Sequence, residues 1–349
     1  MTTPITSTTS GLALGLFPSG AVVPAHPLAL DDRGAIDWRS QQALTRYYLD
    51  AGVHGLAVGV HTTQFALHED PGMLLEVWTA AADAARGAGR PITLVAGVRG
   101  AAARTEALSA AELGYRAALL SPDPAATDEE VLETARSVGE AIPVIGFYMQ
   151  DSVGGRYLGP DFWRALFAQP SVVGVKIAAF DRYRTAEVVR VLAESGRDDI
   201  ALLTGNDDNI VGDLATEYRI DVGGAERRVS FAGGLLGQWA VGTRAAVELS
   251  AAAVNARDEG AIPIGLTATG SALTEVNSAV FDTVNGFAGC VAGVNEVLRQ
   301  QGLVQTATCL DTRERLSPGQ SEAIADARRR HPGLLDEDFI AENRDRWLG

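Results

Sequence analysis

PVIGFY at residues 143–148 and VVGVKIA at residues 172–178 are short apolar runs with a longer segment between them. The same alternation continues along the chain at a spacing of roughly 25 to 30 residues, which is the rhythm of βα units in a parallel sheet. The eight predicted strands are GAVVPA (20–25), GLAVGV (55–60), ITLVAGV (92–98), AALLSP (117–122), PVIGFY (143–148), VVGVKIA (172–178), ALLTG (201–205) and RVSFAGG (228–234). The chain is therefore predicted to have an α/β fold built on parallel strands.

The segments between these strands have the amphipathic pattern of helices. Examples are residues 38–52, 128–141 and 185–196. Thr127 and Thr185 are predicted to cap the N-termini of the second and third of these helices, and Gly196 the C-terminus of the third. Eight βα units in about 250 residues favour a (β/α)8 TIM barrel over an open doubly wound sheet, for which a GxGxxG turn after the first strand would be expected.

The strand pattern stops after about residue 250, and the remaining sequence is helical in character. The predicted helical stretches are 271–302, 317–330 and 336–348. We therefore expect a barrel over residues 1–250 and a C-terminal helical region over residues 251–349.

Composition excludes several classes of protein. Among 349 residues there are 44 Asp and Glu against 29 Lys and Arg, which gives a formal charge of -15. A phosphate backbone or an anionic membrane surface repels such a protein, so no nucleic acid and no membrane is predicted as a partner. Cys290 and Cys309 are too few for a disulfide framework, and the first 20 residues lack the pattern of a signal peptide. We expect a cytoplasmic protein.

Lysine is almost missing from the chain. Of the 29 basic residues, 28 are arginine and only Lys176 is lysine. A coding bias towards arginine explains the scarcity but not the exception. Because a lysine amine can lose its proton and attack a carbonyl carbon, Lys176 is a candidate for chemistry that a guanidinium cannot perform. The alternative is that one lysine remains by chance.

The position of Lys176 strengthens the chemical interpretation. Active sites of (β/α)8 barrels form at the C-terminal ends of the strands. Lys176 lies within an apolar strand, where burial lowers its pKa towards the free amine that imine formation needs. Tyr148 ends the preceding strand, 28 residues earlier. A phenol there could move protons during carbinolamine formation and dehydration, although a buried tyrosine that only satisfies its hydroxyl is the alternative.

These features together resemble a known family. A Tyr that ends strand five, a Lys in strand six and a Thr-Thr pair after strand two are similar to the dihydrodipicolinate synthase / N-acetylneuraminate lyase family of pyruvate-type class I aldolases. The resemblance extends over AVVPAHPLALDDRGAIDW (21–38), AGVHGLAVGVHTTQF (51–65), VVGVKIAAFDRYRT (172–185), TGNDD (204–208) and VNEVLRQQG (294–302). It implies a TIM barrel with a helical C-terminal region, a homo-oligomer (dimer or tetramer), and no organic cofactor or metal.

The resemblance also implies roles for individual residues. Lys176 matches the imine-forming lysine and Tyr148 the general acid/base. Thr62 and Thr63 match the pair that holds the pyruvate carboxylate and links the proton relay. The family usually reads Gly-Thr-Thr-Gly-Glu here, and an alignment shifted by one residue places His61 and Thr62 at the Thr-Thr positions instead. His61 is then either a polar residue of the site or a side chain that fills the space of a missing glycine.

Residues after strands seven and eight are further candidates for substrate binding. Gly205 and Asn206 end strand seven, and Gly233 closes strand eight, where the lack of a side chain lets a ligand approach the backbone. Tight packing would account for Gly233 equally well. Asp207 and Asp208 could hold a divalent cation or contact substrate hydroxyls, whereas Asn206 or Asp207 could instead cap the following helix.

Two departures from the family pattern argue against synthesis of dihydrodipicolinate. Ser121 and the residues after it replace an aromatic pair that follows strand four in the synthases. The arginine that grips the aldehyde substrate five residues after the strand-five Tyr is Val153 here, and Arg156 could replace it only with a different loop path. Arg182 and Arg184, after strand six, could grip an anionic substrate tail, but arginines exposed at a helix start are the commoner explanation.

The sequence therefore predicts a lyase or aldolase that forms a Schiff base with pyruvate or another 2-oxo acid. A 2-keto-3-deoxy sugar acid dehydratase or aldolase of the same family is an alternative. A metal-dependent barrel enzyme that uses Asp207 and Asp208 is a second alternative, and a non-catalytic protein that binds 2-oxo acids is a third.

Overall fold

A computed structural model describes residues 15–121 and 123–349 of the chain. Eight parallel strands lie in the order β1-β10-β7-β6-β5-β4-β3-β2, and a bridge between Ala25 and Ala57 joins the two ends of the sheet into a barrel. The strands are β1 (Ala21–Pro24), β2 (Gly55–Val58), β3 (Thr93–Arg99), β4 (Ala117–Ser121), β5 (Val144–Met149), β6 (Val172–Ala178), β7 (Ala201–Thr204) and β10 (Gly233–Leu236). The predicted (β/α)8 TIM barrel is confirmed. Residues 1–14 and the predicted strand residue Pro122 lie outside the described residues.

The barrel strands are apolar because both of their faces are covered. One face packs inside the barrel, where Val23, Val95, Leu119 and Ile145 belong to one core cluster. The other face packs against helices. These are α1 (Trp38–Ala51), α2 (Pro71–Arg86), α3 (Ala103–Glu112), α4 (Asp128–Gly139), α5 (Pro160–Phe167), α6 (Arg182–Ser195), α7 (Ile210–Ala215) and α8 (Thr243–Glu259).

Two of the three predicted helix caps are confirmed, and the third is wrong. Thr127 forms a capping box with Glu130 at the start of α4, and Gly196 ends α6 in the left-handed region, as predicted. Thr185 is not an N-cap. Helix α6 begins three residues earlier, because the Asp181 carboxylate accepts hydrogen bonds from the backbone N–H groups of Tyr183 and Arg184.

The eighth barrel strand is shorter than RVSFAGG predicts. Residues up to Ser230 belong to an antiparallel hairpin of β8 (Glu217–Val222) and β9 (Ala225–Ser230), which is separate from the barrel. The barrel strand starts at Gly233. A β-carbon there would lie 2.2 Å from the carbonyl oxygen of Ala21, so only glycine allows the two strands to pack this closely.

The C-terminal region is helical, as predicted, but its first helix is broken. The structure has α9 (Ile264–Val280), α10 (Cys290–Gln300), α11 (Gln320–Arg330) and α12 (Glu337–Leu348) where the sequence predicts continuous helix over 271–302. Asp282, Gly286 and Phe287 lie in the left-handed region and end the helical path between α9 and α10. The division into residues 1–250 and 251–349 stays a prediction, and residue 250 lies within α8.

A buried carboxylate fastens the C-terminal region to the barrel. Asp336 accepts hydrogen bonds from the backbone N–H groups of Arg244 and Ala245 and from the hydroxyl of Tyr47 on α1, the last at 2.6 Å. None of the helices in the described part of the chain combines the length and the apolar character needed to cross a bilayer.

Candidate active site

A cavity at the C-terminal end of the barrel takes its lining from two parts of the chain. The space between its lining residues, open solvent included, is about 520 Å³. Phe281, Phe287 and Cys290 of the C-terminal region line one part of it. The barrel contributes Ala25, Val60, His61, Thr62, Phe147, Met149, Gln150, Val153, Lys176, Ala178, Phe180, Gly205, Asp207 and Gly237. This is the end of the barrel at which active sites of the fold form.

Lys176 faces this cavity from the C-terminal half of β6. Backbone pairing places it opposite Phe147 on β5, and its Nζ lies 4.4 Å from the centre of the Phe147 ring. The residue is 7% exposed. Burial lowers the pKa of the Lys176 amine below its usual range, and the charge of Asp207 partly opposes this shift. The apolar strand thus gives the buried amine that the sequence predicts.

Gly205 makes room for the lysine side chain. A β-carbon at Gly205 would lie 2.5 Å from Cε of Lys176 and 2.9 Å from Cβ of Ala178. Because both distances are shorter than carbon atoms tolerate, a larger residue would displace the lysine. Gly205 is one of the predicted substrate-binding residues, and it lines the cavity.

Asp207 is the carboxylate of the cavity. Its Oδ1 accepts a hydrogen bond from the backbone N–H of Gln238 at 3.1 Å, and its backbone carbonyl accepts one from the side chain of Asn277 at 2.7 Å. Burial raises the pKa of Asp207 well above its usual range, against the opposing effects of the Gln238 hydrogen bond and the Lys176 charge. Asp207 therefore holds its proton more firmly than an exposed aspartate.

The loop after β2 presents His61 and Thr62 to the cavity, rather than the Thr62 and Thr63 pair. Thr63 is fully buried, and its hydroxyl donates to the backbone carbonyl of His26 and accepts from Gly59 N–H. It is not among the cavity-lining residues. His61 and Thr62 line the cavity, which fits the alignment shifted by one residue. Burial lowers the pKa of His61 to about 4, and the charges of Lys176 and Arg99 act in the same direction, so the ring is neutral at pH 7.

Tyr148 does not lie with Lys176, contrary to the prediction. Its ring packs outside the barrel against Trp163, with ring centres 5.5 Å apart, and no hydrogen-bond partner within the described residues satisfies its buried hydroxyl. An irregularity in the pairing explains the error. Val144 pairs with Val172 but Ile145 pairs with Gly174, so a bulge shifts the register and Phe147 occupies the inward position beside Lys176.

Two other predicted substrate-binding residues have structural partners instead. Asn206 is fully buried and does not line the cavity. Its side-chain amide donates to Asp213, and its side-chain oxygen accepts from the backbone N–H of Phe180, which holds the loop after β6. Gly233 is required by the close packing of β1 and β10 described above.

Asp207 and Asp208 do not act as a pair. Asp207 lines the cavity with Lys176, whereas Asp208 forms an ion pair with Arg182, with N and O atoms 3.9 Å apart. In residues 15–121 and 123–349, no three His, Cys, Asp or Glu side chains converge as a metal site requires. The arrangement offers no support for the metal-dependent alternative.

The candidate arginines all have partners outside the cavity. Arg156 pairs with Asp128 at 2.7 Å, Arg184 with Asp151 at 3.1 Å, and Arg182 with the buried Asp213. Among the residues that line the cavity, Lys176 is the only one with a cationic side chain at neutral pH.

Sequence reasoning missed the cavity residues of the C-terminal region. Phe287 packs edge-to-face on Phe180, with ring centres 5.6 Å apart, and Phe281 and Cys290 complete this side. No pattern connects them to β6, about 100 residues earlier. The only available signal was the pair of glycines, Gly286 and Gly289, which interrupts the helical pattern between them and could have marked a functional loop.

Comparisons with known proteins show similarity of structure but not of sequence. No protein-family profile and no curated protein matches the chain. Among solved structures, a dihydrodipicolinate synthase from Acinetobacter baumannii, complexed with pyruvate, is 20% identical, with a TM-score of 0.72 and coverage of 91% of this chain and 99% of that one. The synthase from Bacteroides thetaiotaomicron is 17% identical, with a TM-score of 0.71 and coverage of 90% and 99%.

A lyase has the same fold. The N-acetylneuraminate lyase from Fusobacterium nucleatum is 17% identical to this chain, with a TM-score of 0.69 and coverage of 91% of this chain and 99% of that one. These likenesses cover 90 to 91% of this chain. The chain has the fold that the sequence motifs predict, at 17 to 20% identity to these structures.

Proposed function

We propose that this chain is a divergent member of the dihydrodipicolinate synthase / N-acetylneuraminate lyase family, and that Lys176 forms a Schiff base with pyruvate or another 2-oxo acid. One observation carries the proposal: the only lysine of the sequence is buried in the cavity at the C-terminal end of the barrel. An amine that is desolvated and partly deprotonated is a nucleophile towards a carbonyl carbon. The likeness to solved synthases and a lyase supports the same class of reaction.

The proposed chemistry needs only the amine and polar neighbours. Nζ of Lys176 attacks the carbonyl carbon, and the resulting carbinolamine loses water to form an iminium ion. The iminium withdraws electrons from the adjacent C3, which can then lose a proton to give an enamine. The enamine can form a bond from C3 to an aldehyde carbon (C3–C4, broken in the reverse direction), or it can expel a hydroxyl group from C4, which leaves as water with one proton. Thr62 and the neutral ring of His61 are the polar groups of the loop after β2 that are available to hold the substrate carboxylate.

Turnover separates an enzyme from a protein that only binds 2-oxo acids. An aldolase or dehydratase, including one acting on a 2-keto-3-deoxy sugar acid, would convert its substrate, whereas a binding protein would form the imine and stop. The uptake of deuterium at C3 of a bound 2-oxo acid also separates them, because exchange requires the enamine.

Pyruvate and borohydride should trap one reduced adduct on the protein. Reduction of the imine leaves a stable secondary amine whose added mass shows in the intact protein, and peptide mapping should place it on Lys176. The N-terminal amine is the only other primary amine, and its peptide is the internal control. An unmodified Lys176 peptide after treatment with a broad panel of 2-oxo acids would exclude the proposed function.

Dihydrodipicolinate should form poorly, or not at all, from pyruvate and aspartate semialdehyde. Among the described residues, no arginine lines the cavity, so the carboxylate of aspartate semialdehyde lacks the bidentate partner that a guanidinium provides. Discrimination against this substrate should therefore be severe. The measurement is product formation with each aldehyde of a series at fixed pyruvate. Turnover of aspartate semialdehyde as fast as that of the best uncharged aldehyde would contradict this expectation.

The oligomeric state and the cellular location of the protein are also proposals. We expect a homo-oligomer, a dimer or tetramer, because such assemblies are implied by the family resemblance. The acidic composition supports the expectation that the protein has no nucleic-acid or membrane partners. The expectation of a cytoplasmic protein rests on its having only two cysteines. Sedimentation of the purified chain measures the oligomeric state.

A further inference from the structure

Four titratable side chains face the cavity, and only one of them is a carboxylic acid. They are His61, Lys176, Asp207 and Cys290. We propose that Asp207 is the acid–base residue of the reaction, the group that moves the protons of the imine and of C3 in place of the predicted Tyr148. This inference rests on the proposed function, because it assigns a role in the chemistry of the Lys176 imine.

Tyr148 and Asp207 lie on different sides of the barrel wall. Tyr148 points out of the barrel into the helix layer, against Trp163, and the strand register gives the inward position to Phe147. Its hydroxyl cannot reach a substrate on Lys176 unless β5 changes register. Asp207 lies two residues after Gly205, which contacts the lysine side chain directly, and both residues line the same cavity.

Two hydrogen bonds hold Asp207 in place. The backbone N–H of Gln238 fixes Oδ1, and Asn277 of the C-terminal region fixes the backbone carbonyl. Among the described residues, none donates a hydrogen bond to Oδ2, and Lys176 forms no direct ion pair with it. The carboxyl group is therefore oriented with one oxygen free for a ligand, and the amine is near without being bound to it.

His61 and Cys290, the other two candidates in the cavity, are in protonation states that suit proton transfer poorly. Burial keeps His61 neutral, with a pKa of about 4, so the ring is a poor proton donor at pH 7. Burial raises the pKa of the Cys290 thiol far above neutrality, so it is a poor base. Of the three groups other than the Lys176 amine, only Asp207 has a pKa shifted towards the working range, which is the usual requirement for a general acid and base.

The steps balance with one proton on Asp207. The neutral amine of Lys176 adds to the carbonyl carbon, and one of its protons passes to the carbonyl oxygen, which becomes a hydroxyl group. The Asp207 carboxyl then gives its proton to that hydroxyl. Water leaves, and the iminium ion is formed. The carboxylate then takes a proton from C3, and the electron pair of the C3–H bond forms the enamine. When the enamine attacks an aldehyde carbon, Asp207 returns the proton to the aldehyde oxygen.

Exchange of the methyl protons of pyruvate in D₂O tests this role without any second substrate. Asp207→Asn should slow the exchange, followed by NMR, by roughly 10²- to 10⁴-fold, the usual effect of a positioned acid/base. Borohydride should still trap the imine on Lys176 in this variant after long incubation, because the amine is intact. Asp208→Asn is the matched control, since that side chain lies beside Arg182, and it should exchange at the wild-type rate.

A second variant separates chemistry from folding. Asp207→Ala removes the carboxylate and leaves space for a small acid, so added formate should restore exchange in a concentration-dependent way. A residue with only a structural role would not respond to formate. Circular dichroism and thermal unfolding of each variant show whether it is folded.

Three outcomes would overturn the inference. One is wild-type exchange in folded Asp207→Asn. Another is loss of exchange in Tyr148→Phe while Asp207→Asn retains it, which would return the role to the tyrosine. The third is slow exchange in Asp207→Ala that formate does not restore. If the wild-type protein neither traps nor exchanges any 2-oxo acid, the proposed function itself has failed, and this inference with it.

Discussion

Replacing Lys176 with arginine should abolish covalent trapping and bring turnover below detection. A guanidinium keeps the positive charge and the approximate size of the side chain but stays protonated and cannot form an imine. No second lysine is present in the sequence to substitute for it. The measurements are borohydride trapping with pyruvate, read by intact mass, and exchange of the pyruvate methyl protons in D₂O.

Lys176→Met is the companion variant for this test. Methionine has a similar length, carries no charge and suits an apolar strand, so this protein should fold and be equally inactive. Agreement of the two variants shows that the amine, rather than its charge, is required. Residual turnover in folded Lys176→Arg would mean that the Schiff base is not part of the reaction.

Replacing Gly205 with alanine should also cause a large loss of activity. The added β-carbon would lie 2.5 Å from Cε of Lys176, so the lysine side chain must move. A displacement of about 1 Å at a reacting group can cost on the order of 10²-fold in rate. Overpacking of the core should lower the free energy of unfolding by about 1–3 kcal/mol. Trapping rates and thermal unfolding measure the two effects.

The control for this substitution is Gly265→Ala in helix α9. A β-carbon there would meet no atom within 4 Å, and the residue does not have a positive φ angle. Since alanine is the better helix former, this variant should be as active as the wild type and equally or slightly more stable. Equal trapping rates in the two alanine variants would show that Gly205 is not needed to position the lysine.

The barrel could be predicted from sequence because its signal is local and repeated. Each strand is a short apolar run such as VVGVKIA, and each unit repeats at nearly the same spacing. The hairpin of β8 and β9 was not predicted, because the pairing of one strand with another is not a local signal. Its second strand runs directly into the start of β10, and an apolar run does not reveal whether its neighbour is parallel or antiparallel.

The site could be predicted only in part, because strand register is not visible in sequence. The burial of Lys176 follows from its neighbours alone. The position of Tyr148 depends on the bulge between β5 and β6, and a shift of one residue moves a side chain to the opposite face of a sheet. The positions of Phe281 and Phe287 in the cavity depend on how the C-terminal region packs on the barrel, which no local sequence pattern encodes.

The division of the cavity between the barrel and the C-terminal region has a consequence for biosynthesis. The last barrel strand ends at Leu236, whereas Asn277, which fixes Asp207, and Phe287, which packs on Phe180, come later in the chain. Because domains fold as the chain emerges from the ribosome, the strands can close before these residues are made. In a nascent chain whose strands close at that stage, Lys176 would lack the cover that Phe281, Phe287 and Cys290 give the cavity. Under the proposed function, its amine would reach its final surroundings only after these residues are made.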